Sequence, residues 1–600
     1  IGEAGCLTEA VPTKSGPVRG FRRRGLGTSL ADVSTFWGIP FAEPPVGPNR
    51  LRAPRPLRRT WAEPLQATTR SNVCVQYMAA PHAAFGGQSE DCLYLNVYAP
   101  TGALGGRATL PVMVWIYGGA YVLGDAYQIV AGISTYDGSA LAGRHNVVVV
   151  TLNYRLSGLG FFASEALRAE DPDGSTGNMA LLDQRLALRW VQDNAAAFGG
   201  DPGRVTLFGE SAGAFSVLWH LVSEPSWPLF HKAIVESGTS KLSWFFQPYE
   251  HHAREFYAQW AEKIGCPPEG PLQLLCLRGV DAAALVTPPE GITVAPPTYS
   301  PTNVAGSIPV GPVVDGAVAG LIGVPIELIR AGKFHRVPLI IGACKDGGTI
   351  FETMVAELVP GMSKPRARSD GDVQAALEWS FAPEQVPYIR ATYPENEFNE
   401  RPWLGKAGVN YAAMLSREIR DVAFQCSSRA VAQAWDAHGV PVWVYTFSFP
   451  LGTLDALSGL GDLHGSDIVF VFRHFLGLLE MLSPDHAIEM ANIITCKWTT
   501  FAHTGSPEGP PGAAEPPHCA GMRAKYAAWP RFEAGGARLF YSLKVPPQVN
   551  SVRPANTWPD DEFPSDARCD MWDAAEFPWP RHVVARAGVN GSASADMLVV

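Results

Sequence analysis

The chain has 600 residues, 46% of them hydrophobic and 17% charged, a balance that can bury a large core and excludes a disordered or coiled-coil chain. A net charge of -10 argues against nucleic acid or an anionic membrane as the main partner, and no apolar run approaches the ~20 residues of a spanning helix. No Ser/Gly-rich linker, repeat or long charge run divides the chain. One domain over residues 1–600 is therefore expected, with residues 580–600 a weakly ordered tail.

In chain order, residues 111–116 (Pro-Val-Met-Val-Trp-Ile) form an apolar run that enters Tyr117-Gly118-Gly119-Ala120-Tyr121. Small residues there let backbone N–H groups point at a developing negative charge. Residues 146–152 are a second run, and residues 178–198 carry Leu181, Leu182, Leu186, Leu188 and Val191 at helical spacing. Residues 204–208 form another run, followed by Gly209-Glu210-Ser211-Ala212-Gly213 and a helix-compatible stretch, 214–222. That strand, turn and helix context makes G-x-S-x-G a nucleophile elbow, with glycines where the strand and helix backbones meet. Residues 232–235, 337–342 and 442–447 are further short apolar runs. Continuous rather than alternating apolarity marks strands covered on both faces, so the fold class is α/β, with a mostly parallel central sheet and helices on either side.

The order of parts predicts acyl transfer on Ser211. Oxyanion donors would be the N–H groups of Gly119, Ala120 and Ala212. His464, in Gly461-Asp462-Leu463-His464-Gly465, stands where a base is expected after the 442–447 strand.

Several segments together resemble the type-B carboxylesterase and cholinesterase family, which includes bile-salt-activated lipase and fungal esterases and lipases. They are Gly38-Ile39-Pro40-Phe41-Ala42-Glu43-Pro44-Pro45, Ser89-Glu90-Asp91-Cys92-Leu93-Tyr94-Leu95-Asn96, Asn153-Tyr154-Arg155, Asp183-Gln184, Phe198-Gly199-Gly200-Asp201-Pro202 and the Ser211 elbow. The resemblance implies an α/β-hydrolase fold and hydrolysis of carboxylic esters through an acyl-enzyme, with no cofactor and no metal. It also implies ion pairs Arg50–Glu90 and Arg155–Asp183, and disulfides Cys74–Cys92, Cys266–Cys276 and Cys426–Cys569. Cys6, Cys344, Cys496 and Cys519 have no obvious partner.

The acid breaks the pattern. The family places an acidic residue after the 337–342 strand, and its position here is Gly347, in Lys345-Asp346-Gly347-Gly348. Asp346 is the preferred substitute, Glu236 the alternative, and Glu352 or a bare Ser–His pair remain open.

Tyr121 and Trp244 resemble substrate-pocket positions. The loop from Cys74 to Cys92 contains Tyr77, His82 and Phe85 but no tryptophan, which disfavours choline esters and leaves a small-molecule or lipid ester of neutral charge. Three bridges imply an oxidising route and secretion, the start at Ile1 suits a processed form, and Asn590-Gly591-Ser592 is a glycosylation sequon. Two other readings stay open: an adhesion or binding protein on the same fold, favoured by Gly347, and an acyltransferase using the same acyl-enzyme. Oligomeric state is not legible.

Overall fold

The computed structural model describes residues 6–24, 31–76, 87–130, 133–238, 247–287, 289, 292, 310–381, 383–398, 408–449, 461–473, 486–512, 515–516, 519–552 and 562–574. Tyr77, His82, Phe85, Trp244, Asn590 and the 580–600 tail lie outside them.

Eleven strands make the central sheet: β1 (Phe21–Arg23), β2 (Val33–Pro40), β3 (Tyr94–Pro100), β4 (Leu110–Ile116), β5 (Val148–Leu152), β6 (Gly200–Glu210), β7 (Lys232–Glu236), β8 (Leu339–Cys344), β9 (Val442–Phe447), β10 (Leu539–Leu543) and β11 (Gln548–Ser551). Their order across the sheet is β11-β10-β9-β8-β7-β6-β4-β5-β3-β2-β1. From β5 to β10 every neighbouring pair is parallel, whereas β1, β2, β3 and β11 join antiparallel at the two edges. The runs read from the sequence are the parallel strands, and every residue of β5, β7, β8 and β9 is buried. Parallel β10 and the antiparallel strands β1, β2, β3 and β11 were not among those runs.

Helices pack on this sheet. Helix α1 (Met179–Asn194) buries Leu181, Leu188 and Val191 together with Asp183 and Gln184, and Leu182 and Leu186 pack against the same core from its margin. Helix α2 (Ala212–Val222) is buried along its whole length. Helices α3 (Thr349–Leu358), α4 (Tyr411–Arg420), α5 (Cys426–Ala437), α6 (Ser466–Val471), α7 (Ala487–Thr504) and α8 (Asp566–Ala574) follow. Among the described residues no helix is long and apolar enough to cross a membrane.

Both ion pairs are present. Arg50 Nε donates to Glu90 Oε2 at 2.7 Å, and Arg155 holds Asp183 through two nitrogens at 2.8 and 2.7 Å. The latter pair is fully buried, so the two-pronged geometry offsets a desolvation cost that a single contact would not.

Cys74–Cys92, Cys266–Cys276 and Cys426–Cys569 are bonded. A fourth bridge, Cys496–Cys519, corrects the expectation that these two cysteines lack partners. It fastens the 505–519 excursion to α7 across 23 residues, a pairing made by the approach of a loop to a helix and carried by no local motif. Cys344 is a buried free thiol and Cys6 an exposed one.

Candidate active site

Strand β6 ends at Glu210 and α2 begins at Ala212, so Ser211 alone makes the reversal. Its backbone takes φ 55°, ψ -126°, a conformation costing a non-glycine residue about 1–3 kcal/mol. Hydrogen bonds hold it there: Ser211 N donates to Glu236 O at 3.0 Å, and Phe215 N to Ser211 O at 2.9 Å. The flanking glycines are sterically required, because a Cβ on Gly209 or Gly213 would lie 2.6 or 2.0 Å from the carbonyl oxygen of Ile116, the last residue of β4.

The turn after β4 stands directly over the serine, for a Cβ on Gly118 would lie 2.8 Å from Ser211 Cβ. Three successive residues here, Gly119, Ala120 and Tyr121, have positive φ (116°, 52° and 62°). Gly119 O accepts from Val122 N and Leu123 N, and Tyr121 O from Ser157 N, which over-determines the bend. The N–H groups of Gly119, Ala120 and Ala212 have no hydrogen-bond partner among the described residues, as donors reserved for a ligand oxygen would. Tyr121 itself is fully buried, with its hydroxyl 3.2 Å from Ser216 Oγ and its ring against Phe161. These contacts anchor the bend.

His464 precedes α6 in a turn closed by Gly465 at φ 82°. Burial lowers its imidazole to about 3, so the ring is neutral and the imidazolium is disfavoured. It makes no hydrogen bond to Ser211 in this state, and neither ring nitrogen has a hydrogen-bond partner among the described residues. Phe424 stacks on the ring at 4.7 Å between centroids, and Phe351 meets it edge-on at 5.0 Å.

None of the three carboxylates expected from the sequence reaches this histidine. Asp346 turns the other way: its Oδ1 is 2.7 Å from Arg417 Nη1, and its Oδ2 accepts from Asp462 N at 3.1 Å. The preferred acid is thus corrected to a structural ion pair, because Arg417 on α4 offers a charge on the far side of the turn. Glu236 is fully buried and accepts from Trp498 Nε1 at 2.7 Å, and Glu352 is tied to Arg366 Nε and Ala367 N at 2.8 Å each. The carboxylate that does approach is Glu210, whose Oε1 lies 3.1 Å from His464 Nε2. The sequence reading treated it as the variable position of G-x-S-x-G. Its one signal was adjacency to Ser211 at the end of β6.

Glu210, Glu236 and Asp467 form a buried acidic group behind the serine. Burial, then Asp467 and Glu236, holds the Glu210 carboxyl well above the usual carboxylate range; burial and Asp467 do the same to Glu236. Asp467 accepts from Tyr445 Oη at 3.0 Å and is raised chiefly by burial. A cluster elsewhere, His145 with Cys496 and Cys519, brings three ligand atoms within 4.8 Å of one another, but its two sulfurs are spent on the disulfide and leave one imidazole.

A family model for the carboxylesterase family matches residues 8–559. The chain belongs to the carboxylesterase family. Cholinesterase of Mus musculus is 34% identical over 516 residues, covering 84% of this chain and 80% of that protein. Membership gives the α/β-hydrolase fold seen here and places this carboxylesterase-family chain, in general terms, among serine hydrolases that cleave esters.

Proposed function

We propose that this chain hydrolyses uncharged carboxylic esters through an acyl-enzyme on Ser211. The observation that carries the reading is the strained serine under three unclaimed N–H groups. Ser211 Oγ attacks the ester carbonyl as its proton passes to His464 Nε2, and the carbonyl oxygen becomes an oxyanion facing the N–H groups of Gly119, Ala120 and Ala212. The imidazolium returns that proton to the departing alkoxide, leaving an ester on Ser211. Water then attacks with His464 again as base, the acid leaves, and Ser211 regains its proton. A low imidazole pKa keeps the base unprotonated at neutral pH, at the expense of an imidazolium that is costly to form.

Neutral esters fit the absence of any tryptophan between Cys74 and Cys92. The disulfides support passage through an oxidising compartment, and we propose secretion. The rival reading, an adhesion or binding protein, draws on Gly347 and the aromatic rings around His464. A fluorophosphonate probe separates the two. Labelling of the native chain, lost in Ser211→Ala, with turnover of esters of graded acyl length, supports the hydrolase. Absence of both labelling and turnover in the native chain overturns it, and ester formation from an added alcohol would reveal acyl transfer.

A further inference from the structure

We propose that His145, Cys496 and Cys519 are a redox-gated metal site, which takes one zinc-type divalent cation when the Cys496–Cys519 bridge is reduced. Three segments converge there. His145 ends the short helix Ser139–His145, and Asn146 after it turns left-handed at φ 51°. Cys496 lies along α7, and Cys519 closes the excursion that leaves α7 at Gly505. Helix α7 also fixes the imidazole's backbone, since His503 Nε2 donates to His145 O at 3.0 Å. All three residues are buried, and His145 Nδ1 lies 3.9 Å from Cys519 Sγ.

The three ligand atoms lie within 4.8 Å of one another. A tetrahedral ion with sulfur at ~2.3 Å and nitrogen at ~2.0 Å requires edges of about 3.8 Å between sulfurs and about 3.6 Å from sulfur to nitrogen. The Cys519–His145 edge is thus nearly formed, and only the sulfurs must part once the bond between them is gone. Two thiolates and an imidazole select a soft or borderline cation over calcium or magnesium. The fourth position falls to water: the bridge lines a cavity of about 20 Å³, room for one such molecule. The carboxylates that share this cavity are engaged, Glu508 with Lys497 and Trp529 N, and Glu515 with the N–H groups of Gly521 and Arg523. An ion bound here ties the 505–519 excursion to α7 in the reduced chain as the covalent bond does in the oxidised one.

Cadmium binding before and after reduction tests the site. A water-soluble phosphine breaks the S–S bond: phosphorus takes an oxygen from water and becomes a phosphine oxide, and the two thiols formed lose their protons as the metal binds. The reduced native chain should hold one cadmium ion more than a Cys496→Ser/Cys519→Ser variant treated in the same way, with a thiolate-to-metal band in the ultraviolet. The oxidised chain should show no such excess. The variant keeps the other three bridges, so their thiols cancel in the difference. Zinc should raise the unfolding midpoint of the reduced native chain and not of the variant, because an ion held only by the folded state stabilises it. His145→Gln should weaken the excess binding roughly tenfold or more. Cys496→His cannot form the bridge and leaves the others oxidised, so it should bind zinc with no reductant present. Equal cadmium binding by the reduced native chain and the double variant overturns the proposal, as does binding that His145→Gln leaves unchanged or a folded Cys496→His chain that takes no zinc.

Discussion

Phe424 lies face to face with His464, ring centroids 4.7 Å apart and planes 25° from parallel. A Cβ on Gly347 would lie 3.7 Å from the same Phe424 ring, so the position where the family resemblance implied a carboxylate borders an aromatic ring that covers the face of the histidine. The face of Phe424 can offset part of the cost of an imidazolium, about 0.5–2 kcal/mol. That is less than a triad acid contributes, since exchanging such an acid for its amide has cost a serine protease ~10⁴ in rate.

Restoring an acid should therefore raise activity. Gly347 does not occupy the left-handed region, so a side chain there needs only a small shift from the Cys344 carbonyl oxygen, 3.2 Å from an added Cβ, but Phe351 crowds the imidazole edge. We expect Gly347→Glu with Phe351→Ala to increase kcat by roughly tenfold or more. Steady-state kinetics of the four combinations would show it, and a double variant no faster than the native chain would mean that the aromatic enclosure is part of the mechanism.

Asp346→Asn should weaken the fold far more than the chemistry. Its carboxylate neutralises Arg417 and accepts from Asp462 N, so the amide should cost about 2 kcal/mol while changing kcat by less than roughly threefold. Burial raises this carboxyl, but Arg417, Lys345 and the Asp462 N–H together hold it below its ordinary value. A depressed carboxylate stabilises above its unfolded value near ~3.9 and loses that contribution as pH falls through the folded value. Native chain and variant should thus begin to converge in unfolding midpoint as pH falls below about 4 and meet only below the depressed folded value, and a large kcat loss without destabilisation would return Asp346 to the catalytic machinery.

The parallel core was readable because β5, β7, β8 and β9 are buried on both faces and so are written as unbroken apolar runs. Ser211 was readable because a one-residue reversal demands glycine on both sides. Asp346 misled because sequence distance from Gly347 is not direction, and the competing cation, Arg417, lies 71 residues away. Glu210 was hidden in a position that the motif treats as free, and Phe424 in a helical region without any catalytic pattern. Long-range electrostatic choices of this kind are settled by packing, which local spacing does not encode.

The bridges divide into two energetic classes. Cys426–Cys569 spans 143 residues and joins α5 to α8; its removal should cost about 5 kcal/mol on the chain-entropy model, against about 3 kcal/mol for the 23-residue span of Cys496–Cys519. Non-reducing peptide mapping should recover four linkages. Cys6 should alkylate in the native chain and Cys344 only after unfolding, since one is exposed and the other buried. A reduced Cys496 or Cys519 in the oxidised protein would contradict the fourth bridge.

Glu418 makes the stability of the fold depend on pH. It sits on α4 with 2% exposure, facing Leu377, Phe381, Leu415 and Ile419, and neither carboxyl oxygen has a hydrogen-bond partner among the described residues. Burial raises it to about 8, with Arg390 and Arg568 acting against the shift. The folded chain therefore keeps a proton that the unfolded chain releases above its ordinary value of ~4.3. Where the unfolded state binds fewer protons stability falls with rising pH, so this group costs roughly 1.4 kcal/mol per pH unit between about pH 4.3 and 8, on the order of 5 kcal/mol in all. Glu418→Gln keeps the shape and has no such proton to hold. Its stability relative to the native chain should be near zero or slightly negative at pH 5 and clearly positive at pH 8, as measured by denaturant unfolding at both values. A difference that does not change with pH would show that Glu418 ionises in the folded chain as readily as in the unfolded one, and that water or Arg390 reaches it.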